Sequence, residues 1–253
     1  MKITKFAVAV LSLVFAAQVS KAQTSLTLDQ VVSGLDDNFQ KISAYQASFT
    51  QEITSEQFGK TISKGAGELS YSKPGKMAWR YTSPEQHLYI TDGKTLWDYA
   101  PASKQAMKMK LDEALSSNLP KSFLFGMGKL KDQFDLSFAA DQAKDKVSVY
   151  HLLLTPKKEE DRAALGVIEL FVDAKTMLVQ EAITKDLMGN QNILRFSNIK
   201  VNPRIDPKIF VFTPGKDVEV LNPSEESPAP PEKLNTPAKS GTQNKVQKGA
   251  EEK

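Results

Sequence analysis

Helical spacing of apolar residues appears near the start of the folded stretch. Leu28, Val31, Val32, Leu35, Phe39 and Ile42 recur at three- and four-residue steps. They therefore share one face of a helix over residues 28–42. Thr27 and Gln30 have capping-box spacing at its start, and Gly34 weakens it slightly. From Tyr45 the period becomes two. Tyr45, Ala47, Phe49 and Gln51 begin one strand, and residues 62–71 form the next, with Gly65 and Gly67 at same-face spacing. Paired glycines in a strand mark strong curvature or the close approach of another element. Met77, Trp79 and Tyr81 alternate with Ala78 and Arg80, which turns Arg80 to the face opposite Trp79. Residues 86–91 and 95–99 flank the hairpin-type turn Asp92-Gly93, and residues 104–109 read as another strand.

Residues 111–131 break this rhythm. Leu111, Leu115, Leu119, Phe123, Phe125, Met127 and Leu130 are interspersed with Pro120, Gly126 and Gly128, a pattern for two or three short helical turns that plug or move on an open sheet face. Strand patterns resume over 134–138, 147–155, 166–172, 177–184 and 192–198. Asp173 to Thr176 and Met188 to Asn190 are turn-like, and a last short element at 209–212 runs into Thr213-Pro214-Gly215. The connections are too short for repeated crossover helices, which excludes a doubly wound fold. The expected fold is mainly β with an α lid: a single-domain, half-open antiparallel β-barrel covered by short helices.

The ends of the chain differ in composition. Residues 1–22 read as a signal peptide, with Lys2 and Lys5 before an apolar run and Ser20-Lys21-Ala22 supplying a cleavage site near Ala22. The apolar run is short for a membrane span. Export to the periplasm is therefore expected, with the mature domain covering 23–221. The chain has no cysteine, so it is not itself a lipoprotein and has neither disulfides nor thiolate chemistry. Its 33 basic and 30 acidic side chains become balanced once Lys2, Lys5 and Lys21 leave with the signal. The net charge is thus no argument for nucleic-acid binding. Residues 222–253 are rich in Pro, Ser, Glu and Lys and too poor in apolar residues to offset chain entropy, so a disordered tail is expected.

Catalytic patterns are missing. His87 and His151 lack the supporting ligands of a transition-metal site. Gly126-Met-Gly128 has no phosphate-loop lysine, and no serine sits in a nucleophile elbow. Glu159, Glu160 and Asp161 beside Lys157 and Lys158 read as a solvated hairpin loop. A hydrolase is accordingly a remote rival. The apolar inventory is denser. Phe49, Leu69, Tyr71, Met77, Trp79, Tyr81, Leu88 and Ile90 precede Phe123 and Phe125, and these ten are the candidates for a ligand cavity and its lid. A curved sheet has more inner face than one helix covers, and aromatic and methionine side chains suit variable aliphatic contents.

Several segments, in order, resemble the bacterial outer-membrane lipoprotein carrier family. They are Ser43 to Gln51, Gly67-Glu-Leu, Lys73-Pro74 with Trp79, Ser83-Pro84, Asp92 to Tyr99, Leu154-Thr-Pro156 and Phe210-Val-Phe-Thr-Pro214. The resemblance spans residues 28–221. It implies a monomeric periplasmic chaperone without enzymatic activity or cofactor. Acylated lipoproteins would be its cargo, taken from an inner-membrane ABC transporter complex and passed to an outer-membrane receptor lipoprotein. It also implies that residues 28–42 and 111–131 form the lid and that Trp79 lines the cavity. The family commonly has arginine before the proline, where it contacts the lid. Here Lys73 stands there as the latch candidate, without arginine's planar fork, so a weaker or differently made latch is expected. Lys76 and Arg80 are further expected to help dock partners. The same fold would also serve a periplasmic sensor or regulatory binding protein for a hydrophobic ligand, which remains the alternative.

Overall fold

The computed structural model describes residues 25–116, 129–142, 147–186 and 188–222. Residues 1–24, 117–128, 143–146, 187 and 223–253, Phe123 and Phe125 included, lie outside the described residues. Helix α1 (Leu28–Lys41) starts with the expected capping box: Thr27 Oγ1 accepts from the Gln30 amide, and the Gln30 side chain accepts from the Thr27 amide. Its apolar face divides along its length. Val31, Val32 and Leu35 are fully buried, whereas Phe39 remains half-exposed.

The strands are β1 (Ala44–Ser55), β2 (Lys60–Ser72), β3 (Lys76–Ser83), β4 (His87–Asp92), β5 (Thr95–Ala100), β6 (Gln105–Lys110), β7 (Phe134–Phe138), β8 (Val149–Pro156), β9 (Ile168–Asp173), β10 (Val179–Lys185), β11 (Gln191–Val201) and β12 (Glu219–Leu221). They form one 12-stranded sheet in the order β12-β6-β5-β4-β3-β2-β1-β11-β10-β9-β8-β7. Every pairing is antiparallel except β12 with β6. Among the described residues β12 and β7 are free edges, so the sheet curls without closing. Register slips between Gln46 and Ser48, Ile53 and Thr54, Ala66 and Gly67, and Val179 and Glu181 supply bends.

Asp92 and Asp173 build their turns as anchors. Each carboxylate accepts from two backbone amides ahead of it, Lys94 and Thr95 in one turn and Lys175 and Thr176 in the other. Those bonds, led by Thr95 and Thr176, hold both carboxyls below the usual range. The charge run near residue 159 lies, as read from sequence, in the exposed connection between the antiparallel strands β8 and β9, but that connection is helical. The run opens a helix, Glu159–Leu165, because three acids occupy its positive first turn and Gly166, at φ 60°, closes it. Two short helices bracket the insertion, α2 (Leu111–Ser116) and α3 (Leu130–Gln133), so the Glu159–Leu165 helix is α4. The short element near residue 209 is a 3₁₀ turn, Pro207–Phe210.

Packing separates into three clusters. The first is closed. Val31, Val32 and Leu35 of α1, with Leu130 of α3, pack on Tyr150, Leu152 and Leu154 of β8 and Ile168, Leu170 and Val172 of β9. The second gathers Phe49, Leu69, Met77 and Leu111, with Trp79, Tyr81, Leu194 and Phe196 around them. The third lies on the opposite face of β3 and β4, where Ala78 and Ile90 pack beneath Phe210. One half of the molecule is therefore sealed by α1, while the other keeps aromatic surface facing inward.

Candidate functional site

A cavity of about 150 Å³ lies between the C-terminal half of α1 and the concave face of the sheet. Leu35, Asn38, Phe39 and Ile42 form its roof. Tyr45, Leu69, Tyr71, Met77 and Trp79 form one wall, and Met177, Leu178, Val179, Leu194 and Phe196 form the other. Strand alternation explains the wall: Tyr45 opposes Tyr71, Tyr71 opposes Met77, and Leu69 opposes Trp79, so all five project from one face. Phe49 stands behind Trp79 in an edge-to-face contact at 4.8 Å, and Tyr81 packs on Phe49 at 4.9 Å. The Trp79 indole N–H donates to Met77 Sδ at 3.0 Å, which fixes the ring against the wall. Burial pushes the Tyr45 hydroxyl up to about 12 and raises that of Tyr71.

The end of the roof is fastened by two side chains. Lys73 Nζ donates to the carbonyls of Phe39 at 2.5 Å and Gln40 at 3.2 Å, a cation on a helix C-terminus. Asn202, at the end of β11 with φ 52°, accepts from the Ser43 and Ala44 amides and donates to the Lys41 carbonyl. The roof is also tied midway, where the Asn38 amide donates to the carbonyls of Thr176 and Met177.

Of the residues named from sequence, Leu69, Tyr71, Lys73, Met77 and Trp79 line the cavity, and Phe49 and Tyr81 pack behind them. Leu88 and Ile90 are placed elsewhere. They oppose Arg80 and Ala78 across β3–β4 and pack with the third cluster on the outer face, because alternation sends them away from Trp79. Arg80 also points outward, as its neighbour relation to Trp79 required, and Nη2 donates to the Ile209 carbonyl at 3.0 Å. It pins the 3₁₀ turn and is no loose rim charge. The sequence reading missed the far wall and Asn202. Leu194 and Phe196 alternate visibly in β11, but nothing local shows that β11 returns to pair with β1.

Both histidines make carboxylate contacts: His87 Nε2 lies 2.5 Å from Asp98, and His151 bridges Asp141 and Glu169 at 2.8 Å each. Among the described residues no group of three or more His, Cys, Asp or Glu is placed to hold a metal ion. The site is an apolar container roofed by the C-terminal half of α1. Residues 40–213 match the family described as outer membrane lipoprotein carrier protein LolA. The chain belongs to that family. An outer-membrane lipoprotein carrier protein of Nitrosomonas europaea is 32% identical over 190 residues, covering 75% of this chain and 88% of the relative. One of Cupriavidus pinatubonensis is 30% identical over 213 residues, covering 82% and 92%. The crystal structure of an uncharacterized conserved protein from Thermus thermophilus has the same fold, with a TM-score of 0.50 at 11% identity over 77% of this chain and 98% of that one. In this LolA-family carrier the lysine before Pro74 sits on the roof helix itself.

Proposed function

We propose that this protein carries lipoproteins across the periplasm with their acyl chains held under α1. The observation that carries the reading is the apolar cavity roofed by the last turns of α1, in a chain of the lipoprotein carrier family. Each methylene taken from water is worth about 0.8 kcal/mol, so an acylated protein needs a container to leave a membrane. A void of about 150 Å³ is the size that accepts a benzene molecule. The form described is therefore closed, and loading requires the roof to lift from Lys73 and Asn38. A marginal roof also permits release, since transfer needs a receptor with higher affinity rather than a trap.

In this reading residues 1–22 are removed near Ala22, and residues 23–221 form the working domain. An inner-membrane ABC transporter supplies the cargo and an outer-membrane receptor lipoprotein accepts it. Leu69, Tyr71, Met77 and Trp79 contact the chains, with Phe49 and Tyr81 supporting them and Lys73 latching the roof. Native mass spectrometry of mature protein from its own periplasm tests this. The expected result is a one-to-one complex with an acylated lipoprotein that disappears in Trp79→Asp. Cargo-free protein, even when delivery to the outer membrane is blocked, would sink the carrier reading.

A further inference from the structure

The concave face continues beyond the cavity lining. One strand step beyond Trp79, about 7 Å along β3, comes Tyr81, whose hydroxyl donates to Gln51 Oε1 at 2.9 Å. The Gln51 amide in turn donates to Asn192 Oδ1 at 2.9 Å. Register puts this chain on the concave face: Gln51 opposes Gly65, Phe49 opposes Gly67, and Tyr81 follows Trp79 by two. Gly65 now has a cause. The Tyr81 ring lies only 3.1 Å from where a Cβ of Gly65 would stand, so the missing side chain lets it reach across β2 to β1. Tyr89, opposite Trp79 on β4, continues the surface with its ring 6.1 Å from that of Tyr81 and stacked on His87 at 4.7 Å.

This cluster has a definite chemical character. The Gln51 amide is held at both ends, yet it spends only one of its two N–H groups on Asn192. Among the described residues the Tyr89 hydroxyl has no hydrogen-bond partner. No lysine or arginine takes part in the cluster's hydrogen bonds and ring contacts, although such cations are the usual partners of phosphate. Neutral, half-buried donors beside an acyl container match neutral carbonyl acceptors.

We infer that Gln51 and Tyr89, with Gln51 positioned by Tyr81 and Asn192, bind the ester and amide carbonyls at the point where acyl chains join their head. The inference rests on the carrier reading and adds to it a site for the polar junction of the cargo. It also gives the carrier a means of selection that an apolar cavity lacks, because hydrophobic pockets discriminate weakly while hydrogen-bonding sites reject analogues without the matching group.

The test compares mature wild-type protein with Tyr89→Phe, Gln51→Leu and the double variant, using three fluorescence binding assays. The probes are a triacylated lipopeptide, phosphatidylglycerol, and diphenylhexatriene, a hydrocarbon with no carbonyl. Tyr89→Phe removes a hydroxyl that no described contact uses, so folding is expected to survive. The double variant should lose about tenfold in lipopeptide affinity with diphenylhexatriene binding unchanged. A parallel loss for phosphatidylglycerol assigns the site to ester carbonyls common to both lipids, and a loss for the lipopeptide alone assigns it to the amide. Equal losses for the hydrocarbon, or no loss for any probe, would overturn the inference and leave the carrier reading standing. A wild-type protein that binds neither lipopeptide nor hydrocarbon would overturn the carrier reading, and this inference with it.

Discussion

Lys73 meets the end of α1 as a point charge, without the planar fork of an arginine. Its ammonium is a compact charge with three donors, and it settles between the carbonyls of Phe39 and Gln40 at the negative end of α1. Such a contact in a half-buried position is worth about 1 kcal/mol. Lys73→Met keeps the packing of the stem and removes the charge, so uptake of a hydrophobic fluorophore in stopped flow should quicken about fivefold. An unchanged rate would show that the latch is elsewhere, with Asn202 the next residue to change. The tyrosines make a second prediction. Burial pushes the hydroxyls of Tyr45 and Tyr81 up to about 12, with Tyr89 adding to the effect at Tyr81. In the unfolded chain they titrate near 10, so between roughly pH 10 and 12 the folded state holds more protons than the unfolded one. This contribution to stability is complete below about pH 10 and is lost as pH rises through about 12. Urea unfolding across that range should show a shallower alkaline decline for Tyr45→Phe than for wild type. Identical slopes would mean that the cavity wall does not exclude water from Tyr45.

Glycines make opposite demands in α1 and in β2. A methyl group at Gly34 would meet only the flexible Met177 side chain, at 3.4 Å, so Gly34→Ala should stabilise the protein by about 0.5–1 kcal/mol through helix entropy. A methyl group at Gly67 would stand 2.0 Å from the Arg80 carbonyl oxygen, at the register slip between β2 and β3. Backbone cannot yield as a side chain does, so Gly67→Ala should cost several kcal/mol, on the order of the larger core substitutions. Denaturant titration of the two variants separates these cases, and a neutral Gly67→Ala would mean that the bulge can unwind. The elements themselves were legible where one period dominated. The 3.6-residue spacing and capping box gave α1 to within one residue, and alternation located each strand from β1 to β11. The helix within the β8–β9 connection at Glu159 was missed because ionic pairs were weighed and helix-end preferences were not. β12 escaped notice because three residues carry no period, and its parallel pairing with β6 comes from tertiary packing alone.

At the scale of the molecule, the candidate site was half legible. Trp79 and its same-face neighbours could be grouped from alternation, yet assigning Leu88 and Ile90 required the β3–β4 register. The second wall required the β1–β11 pairing across some 150 residues of chain, which no local pattern encodes. That pairing joins two halves with different duties, and α1 belongs to both. Val31, Val32 and Leu35 are sealed in the closed cluster, where lifting them would expose three fully buried side chains at about 1.5–3 kcal/mol each. Phe39 and Ile42 face the cavity and are held chiefly by Lys73, Asn38 and Asn202. Opening should therefore run through the last turns of α1 while its first half stays docked. Hydrogen exchange followed by mass spectrometry distinguishes this from a whole-helix lid. On loading with a triacylated lipopeptide, amides from Phe39 to Ala44 should lose protection, while those of Leu35 and the residues just before it keep theirs. Equal loss along the entire helix would mean that the first cluster opens too, and that the cavity grows by undocking α1 rather than by peeling back its end.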